Sequence, residues 1–211
     1  MDQIGADYDW MVFDTYRPRP GATEAGYEQW MREVDCPLIN SIPGMASYSC
    51  WRIDRTQGVL APFARGQSEP FTHFGFFGAR ERADIQRFFG NPRWIEHGPT
   101  WIRLWSCFPE AGDDTARNFC FTLFKRAASN GRPRSTRVLL LPFTAQDDRS
   151  LDAALLERAL RVERWERVEH VVGELPYTAF HLLYLDGTED SAALMRGYAV
   201  SAEGNLIAAP S

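Results

Sequence analysis

The order of two apolar patterns along this sequence constrains its fold more than any other feature. Short runs rich in aromatic and β-branched residues, typical of strands, cover residues 8–16, 46–53, 71–79 and 101–108. Two stretches with apolar residues at helical spacing lie between these runs. The first half therefore reads strand, helix, strand, strand, helix, strand. Such a unit folds into a four-stranded antiparallel sheet with both helices on one face.

The predicted helices of this unit are marked by apolar stripes. We expect Thr23 to cap the first helix, and the second is expected to end near Pro92. In the first helix the apolar residues Trp30, Met31 and Val34 follow Tyr27 by three, four and seven positions, which places all four on one face.

The second half repeats the same order more faintly. Strands are predicted at 137–143, 165–172, 178–185 and 198–208, with short helices at 151–159 and 188–196. A short sequence similarity between the halves supports the repeat. His73 and His181 each occupy the second position of an apolar strand that ends in glycine before a helix. The segment 118–127 fits neither half. It forms either a strand that turns through Asn130-Gly131 or a bridging helix.

We therefore predict an α+β fold of two tandem ferredoxin-like repeats, whose antiparallel sheets together form an α/β barrel. The first repeat would span residues 1–112 and the second 135–211, with 113–134 as a connecting segment. Each unit leaves one apolar sheet face uncovered, and the two faces can cover each other. Concave apolar pockets form where layers meet, so a ligand cavity is expected between the two sheets.

Composition narrows the classes of partner. The net charge of −5 and the pI of about 5.4 argue against nucleic acid, whose binders carry a basic face. No apolar run approaches the ~20 residues of a membrane span. The N-terminus lacks a basic region followed by an apolar stretch, so we expect a cytoplasmic protein. Aromatic residues make up 13% of the chain, enough to fill a core and also line an apolar pocket.

Motifs for nucleotide cofactors, hydrolases and metals are absent from the sequence. It contains no GxGxxG, GxxxxGK[ST] or GxSxG segment. The four cysteines are widely spaced and form no CxxC pair, which indicates free thiols and no metal site. The sequence therefore predicts a protein that works without a cofactor on a small aromatic or apolar molecule.

Strand alternation predicts which side chains share a face. On the first strand we expect Asp14 and its neighbours to face the cavity, because the alternate residues, Met11, Phe13 and Thr15, suit packing under the helices. On the other strands, too, we expect the alternate set that holds the polar residues to face the cavity. The residues expected to face the cavity between the sheets are Trp10, Asp14, Tyr16, Tyr48, His73, Phe77, Arg103 and Trp105.

A histidine within this polar set suits proton transfer, because its ordinary pKa of about 6.5 lies near working pH. We expect His73 to be a general base or acid, assisted by Asp14 and by Tyr16 or Tyr48. Arg103 would donate to a developing oxyanion or pair with a substrate carboxylate. His181 would face the same cavity from the second half. The structural alternative is a satisfied core histidine beside an Asp–Arg pair.

Three segments of the first half resemble a known family. They are the helix start Tyr27-Glu-Gln-Trp30, the turn Ile42-Pro-Gly44, and the run from Phe88 to His97 (FFGNPRWIEH). Over residues 8–108 the chain is similar to the dimeric α/β-barrel superfamily, in particular to antibiotic-biosynthesis-monooxygenase-like and EthD-like members. The superfamily holds cofactor-free oxygenases, cyclases, isomerases, dehydratases, haem-degrading enzymes and stress proteins, so the resemblance does not select a reaction.

The resemblance also draws attention to His97. In haem-degrading relatives a histidine near this position binds haem, which makes haem an alternative cofactor. A histidine at the end of a helix is also favoured by the helix dipole. We accordingly count His97 among the candidate catalytic residues, with Asp14, Tyr16 and His73.

Three hypotheses about function follow. The leading one is a cofactor-independent lyase, isomerase or cyclase that moves a proton on a small aromatic or polyketide-like substrate. The second is a cofactor-free monooxygenase of a phenol. The third is a binding or stress protein that only holds an aromatic metabolite. A tandem chain can close its own barrel as a monomer, whereas exposed sheet edges would favour a homodimer.

Overall fold

Eight antiparallel strands close into one barrel in the computed structural model of the chain, which describes residues 7–111, 115–130, 134–144, 151 and 153–210. The expected barrel is thereby confirmed. The strands are β1 (Trp10–Tyr16), β2 (Ser47–Gln57), β3 (His73–Ala79), β4 (Phe119–Ser129), β5 (Arg137–Phe143), β6 (Ala159–Val172), β7 (Ala179–Leu185) and β8 (Ser201–Ala208).

The order of strands around the ring is β1-β3-β2-β8-β5-β7-β6-β4, and β4 pairs with β1 to close it. Each strand of the ring therefore has two hydrogen-bonded neighbours. The first four strands in the sequence occupy one side of the ring, in the order β4-β1-β3-β2. The last four occupy the other side, in the order β8-β5-β7-β6.

Helices cover the outer surface of the barrel. They are α1 (Tyr27–Trp30), a π-helical turn (Met31–Asp35), α2 (Cys36–Asn40), α3 (Arg82–Phe89), α4 (Pro92–Trp105), α5 (Ala153–Arg158) and α6 (Ser191–Met195). Two short 3₁₀ turns follow α4, at Pro109–Ala111 and Thr115–Arg117. Within the described part of the chain, no helix has the length and apolar character needed to cross a lipid bilayer.

The interior of the barrel is packed with apolar side chains. One cluster of buried residues draws members from all eight strands and none from the six α-helices, which places it inside the ring. Phe13 lies at its centre, with its ring centroid 5.1–6.2 Å from those of five other phenylalanines: Phe71, Phe74, Phe76, Phe124 and Phe180. A second cluster fills the space between the outer face of the first half and the helices α1–α4.

The predicted direction of the strand faces is wrong. Alternation groups the residues of β1 as expected, but Met11 and Phe13 point into the barrel, whereas Val12 and Tyr16 pack against the helices. The interior is enclosed by strands on every side, so it takes the most apolar set. The helix-covered face of β1 borders a cavity and accommodates the polar side chains of Asp14 and Tyr16.

The fourth strand was predicted in the wrong segment. Residues 101–108 lie mostly in α4, which begins at Pro92 and runs through Pro99 to Trp105. Proline is well suited to the first turn of a helix, and the side chain of Asn91 caps this one by accepting from the N–H of Arg93. The segment 118–127, left open between strand and helix, forms most of β4.

Several expectations concern residues outside the described ranges. They are the absence of a leader at residues 1–6, the turn residue Gly131, and the domain boundary between 112 and 113. Thr23, in contrast, is described and does not cap α1. The residue before that helix is Gly26, whose φ of 93° is left-handed and suits glycine.

Candidate active site

A cavity of about 360 Å³ lies between the outer face of the first half and the helices. Ile95 of α4 and Val171 of β6 line it and are 59% and 44% exposed, so they flank its opening. Its walls are mostly apolar and include eight Phe, Tyr and Trp side chains: Tyr16, Tyr48, Phe77, Phe89, Trp94, Trp101, Phe119 and Phe121. Such a pocket suits a flat apolar ligand.

Asp35 and His97 form a pair at the wall of this cavity. Nε2 of His97 lies 2.7 Å from Oδ1 of Asp35, and both side chains are largely buried. A carboxylate only accepts hydrogen bonds, so the Nε2–H group donates in this contact, and in a neutral ring the lone pair is then on Nδ1. The ring of His97 also stacks on Trp30, with an angle of 3° between the ring planes. The histidine is therefore held on two sides.

The π-helical turn is what brings Asp35 inward. A regular helix would bury Val34, seven positions after Tyr27, but Val34 is 43% exposed and Asp35 only 2%. The N–H of Cys36 bonds to the carbonyl of Met31, five residues back, so the turn holds one extra residue and shifts the buried stripe by one position. Pro37 follows and has no N–H for a regular bond to the preceding turn.

Asp14 is the second carboxyl group of the cavity. It lies in the middle of β1 and is 3% exposed, and its Oδ1 has no hydrogen-bond partner among the described residues. Burial, and then the nearby charge of Asp35, raise the pKa of Asp14 well above its usual range. We expect Asp14 to retain its proton at pH values where an exposed carboxyl is ionised.

Three buried groups form a hydrogen-bonded chain beside the cavity. The hydroxyl of Tyr27 donates to that of Tyr16 at 3.0 Å, and the hydroxyl of Tyr16 lies 2.6 Å from Sγ of Cys50. Burial raises the pKa of each of the three groups well above its usual range. They are protonated near neutral pH, and the chain fixes the position of Tyr16 at the cavity wall.

His73 lies outside the lining of the cavity. Its ring stacks on Tyr16, and Nδ1 lies 3.0 Å from the hydroxyl oxygen of Thr72. Burial, with a smaller contribution from Arg52, lowers the pKa of His73 to about 3. The imidazole is therefore neutral in most conditions and packs behind Tyr16.

The remaining predicted residues are scattered. Tyr48 and Phe77 line the cavity, with ring centroids 4.5 Å apart. Trp10 is only partly buried and lies under the ammonium group of Lys125. Because residues 101–108 are helical rather than extended, Arg103 points to solvent and Trp105 packs against α1. Neither of the latter two lines the cavity.

His181 lies in the other half of the barrel. It lines a separate cavity of about 90 Å³, beside Phe143. The expectation that His181 and His73 face one shared space is therefore wrong. The two histidines occupy related strands, but the interior that would have joined them is filled by phenylalanine rings.

Sequence reasoning missed Asp35, Trp94 and Trp101 as cavity residues. Asp35 fell off the predicted helical stripe, and Trp101 was assigned to a strand. A signal for the first was present in the sequence, because Pro37 follows closely after a helical pattern and indicates an irregular turn. Trp94 lies in the run from Phe88 to His97 that resembles the family, but a tryptophan on a helix is more often a core residue, so the sequence alone does not mark it as a cavity residue.

The charges of the cavity restrict what it can hold. Among the described residues that line it, two are carboxylic acids and none is Lys or Arg. Haem carries two carboxylates that need basic partners or other donors, so this lining does not fit haem. In the described ranges no three His, Cys, Asp or Glu side chains stand close enough to hold a metal ion together.

Comparison with known proteins agrees on the fold. The family model of REDY-like protein HapK matches residues 11–65, a segment that contains Asp14 and Asp35. An anthrone oxidase-like protein superposes with a TM-score of 0.52 at 11% identity, over 99% of this chain and 95% of that one. A second structure superposes with a TM-score of 0.53 at 8% identity, over 100% and 96%.

The second structure is that of a protein of Fusobacterium nucleatum subsp. nucleatum ATCC 25586, provisionally named a monooxygenase. No curated protein matches the sequence. At these identities the similarity shows a common barrel fold. The fold and the cavity together define a closed antiparallel barrel with an aromatic cavity on its helix-covered face. The chain is similar to the HapK family over one segment and to these two proteins over its whole length.

Proposed function

We propose that this protein is an enzyme that moves a proton on a small aromatic substrate, without a cofactor, in the cavity between the helices and the barrel. The pair of His97 and Asp35 is its base. The observation that carries the proposal is the 2.7 Å contact between these two residues at the wall of an aromatic cavity. A buried carboxylate that orients a histidine is a common arrangement for proton transfer.

Each part of the cavity has a role in this reaction. The aromatic walls bind and orient a flat substrate and exclude water, which strengthens every hydrogen bond inside. His97 takes the proton on Nδ1, and Asp35 stabilises the imidazolium that forms. In this proposal His97 is the catalytic base in place of His73. The ring of His73 is neutral and buried, and it packs against Tyr16.

Hydrogen–deuterium exchange tests the proposal without knowledge of the final product. An anthrone is a suitable probe, because its carbonyl acidifies a nearby C–H group and because its name occurs in that of a structural neighbour. Under nitrogen in D₂O, the wild type is expected to accelerate exchange at that carbon. His97→Gln is expected to lower the enzymatic rate by about 100-fold or more.

Glu96→Gln is the matched control, since Glu96 is the exposed neighbour of His97 on the same helix. It should leave the rate unchanged. The proposal fails if a panel of anthrones, naphthols and 1,3-diketones shows no accelerated exchange. It also fails if His97→Gln exchanges as fast as the wild type.

Oxygenation is the second candidate, and the names of the two structural neighbours support it. A carbanion made by His97 would react with dioxygen, and an anthrone would give an anthraquinone and water, one of each per O₂ consumed. An oxygen electrode separates the two candidates. Stoichiometric oxygen uptake that requires His97 supports oxygenation, whereas exchange without uptake supports an isomerase, lyase or cyclase.

We further propose that the barrel consists of two tandem ferredoxin-like units, akin to antibiotic-biosynthesis-monooxygenase-like and EthD-like proteins, and that the enzyme acts in the cytoplasm as a monomer or homodimer. The two runs of strands in the ring, β4-β1-β3-β2 and β8-β5-β7-β6, support the tandem arrangement, because each has the order of a ferredoxin-like sheet. Expression of the two halves as separate chains that reassemble would test it.

A further inference from the structure

We propose that Asp14 stands in the cavity as an uncharged carboxylic acid that donates a hydrogen bond, and then its proton, to an oxygen atom of the substrate. This inference rests on the proposed function, because it concerns the same cavity. It also names the substrate class: an uncharged aromatic ketone with an acidic C–H group next to its carbonyl or, as in an anthrone, conjugated with the carbonyl through the ring.

The position of Asp14 in the barrel deprives its carboxyl group of partners. In the two ladders of β1, Asp14 lies opposite Gly75 of β3 and Phe121 of β4, and neither side chain offers a polar atom. Oδ1 is buried and has no partner among the described residues. An ionised carboxyl here would lose its water and gain no donor, which is costly, whereas a neutral acid loses much less.

The groups around Asp14 also oppose its ionisation. Burial raises its pKa, and Asp35 raises it further, so both causes act in the same direction. No Lys or Arg belongs to the described lining of the cavity. The titratable groups that face this region from the neighbouring elements are Tyr16, Tyr27, Asp35, Tyr48, Cys50 and His97. Cys120 lies on the other face of β4, inside the barrel, and interacts with Asp14 through charge only.

Gly75 leaves room beside the acid. A Cβ atom at this position would lie 3.5 Å from Oδ2 of Asp14 and 3.4 Å from the ring of Tyr48. Both of those residues line the cavity. The missing side chain therefore keeps open the space between them, where a carbonyl oxygen can approach the acid.

Charge then decides between classes of substrate. A carboxylate or phosphate on the substrate would meet two carboxyl groups and, in the described lining, no Lys or Arg, so anionic compounds are disfavoured. A ketone meets a donor at Asp14 and a base at His97. These two contacts need one acceptor oxygen and one acidic C–H bond near it.

The proton inventory of the step is balanced. His97 removes a proton from the acidic carbon, the electron pair of the broken C–H bond forms a C=C bond conjugated with the carbonyl group, and the π pair of the C=O bond takes the proton of Asp14 to form an O–H group. The product is a neutral enol beside an imidazolium and a carboxylate. Return of the O–H proton to Asp14, and of the histidine proton to another carbon, completes an isomerisation and restores both groups.

Infrared difference spectroscopy tests the protonation state directly. At pH 7 the spectrum of the wild type minus that of Asp14→Asn should show the C=O stretching band of a protonated carboxylic acid. A pair of carboxylate bands in its place would overturn the proposal. No turnover is needed, so this result is independent of the exchange experiment that tests the proposed function.

Binding of matched ligands tests the substrate class. Acetonaphthone and naphthoate have similar rings, and only the second is charged, so quenching of tryptophan fluorescence can compare them. We expect the ketone to bind at least tenfold more tightly than the carboxylate. Asp14→Leu should remove most of this ketone affinity. Equal affinities for the two ligands, or a ketone affinity that is unchanged in Asp14→Leu, would contradict the inference.

Two further variants separate hydrogen bonding from proton donation. Asp14→Asn can donate a hydrogen bond but no proton, so it should keep the ketone affinity and lower the rate of exchange by tenfold or more. Gly75→Ala should weaken ketone binding while it leaves His97 and Asp35 in place. An Asp14→Asn enzyme with the exchange rate of the wild type would rule out proton donation by Asp14.

Discussion

Nε2 of His97 and Oδ1 of Asp35 are 2.7 Å apart although the two residues are separated by 62 positions in the chain. The contact joins α4 to the π-helical turn and closes one wall of the cavity. Because Asp35 holds the edge of the imidazole ring and Trp30 stacks on its face, the ring has little freedom to rotate. Catalytic groups that are fixed before substrate binds lose less entropy in the transition state.

Replacing Asp35 by asparagine should lower activity while the protein still folds. In Asp35→Asn the amide can bond either tautomer of His97, so the interaction that selects one tautomer of the base is lost. We expect proton transfer to fall by about 100-fold or more, measured by the exchange assay. Glu33→Gln, on the exposed side of the same turn, should behave as the wild type. A fully active Asp35→Asn enzyme would remove Asp35 from the mechanism.

Buried His73 should make the protein less stable in mild acid. Its pKa is about 3 when folded and about 6.5 when unfolded, so between these values the unfolded chain binds more protons. The stabilising contribution is therefore complete above pH 6.5 and is lost as the pH falls toward 3, at up to ~1.4 kcal/mol for each pH unit. Urea denaturation from pH 7 to 4 measures this slope.

His73→Phe supplies the comparison for that experiment. Phenylalanine keeps an aromatic ring against Tyr16 but does not titrate. The difference in unfolding free energy between wild type and variant should change with pH below 6.5 and be constant above it. A difference that is the same at pH 4 and pH 7 would show that the histidine is not buried in its neutral form.

A buried ion cluster at one end of the barrel should be essential for stability. Oε1 of Glu163 accepts hydrogen bonds from Arg134 at 2.9 Å and from Arg161 at 2.6 Å, and Oε2 accepts one from Trp165. Glu163→Gln removes the negative charge between two buried guanidinium groups. The expected loss of unfolding free energy is about 3–5 kcal/mol.

The control for this variant is Glu166→Gln, on the same strand. Glu166 is more than half exposed and pairs with Arg164, so its loss should cost less than about 1 kcal/mol. Both values come from chemical denaturation. Similar losses for the two variants would mean that the cluster around Glu163 is solvated in solution.

Two glycines should respond to alanine in opposite directions. A Cβ atom at Gly78 would lie 2.4 Å from the ring of Tyr8, which is itself buried, so Gly78→Ala should destabilise the fold by about 1–3 kcal/mol. Gly187 lies in an exposed turn with a φ outside the left-handed region and no atom within 4 Å of an added Cβ, so Gly187→Ala should stabilise the fold by about 0.4–1 kcal/mol. Thermal unfolding of the two variants measures the signs, and equal signs would contradict this view of the packing.

The sequence pattern predicts the barrel and most of its strands, but it does not predict which face of each strand points into the barrel. Alternation correctly grouped Met11 with Phe13 and separated them from Asp14, because that grouping depends only on the backbone. Which group faces inward depends on what covers each face. That information lies in contacts between β1 and residues as distant as Phe180, and local periodicity does not contain it.

The sequence predicts that the cavity is apolar and aromatic, but it predicts only some of the residues that line it. Tyr48, Phe77 and Asp14 belong to it as expected from alternation, although it lies on the opposite side of the sheet. Asp35 was hidden because one extra residue in a helical turn changes which side chain is buried. Trp101 was hidden because a run of aromatic residues fits a strand and a buried helix equally well over a few positions.

Closure of the ring by one chain has a consequence for how such a molecule can change. In the described strands every edge is paired, so the backbone offers no free edge for association with a second copy. A barrel assembled from two identical chains must repeat every mutation in both halves. Here each half is encoded separately, so one half can keep a cavity of about 360 Å³ while the other keeps a smaller cavity of about 90 Å³.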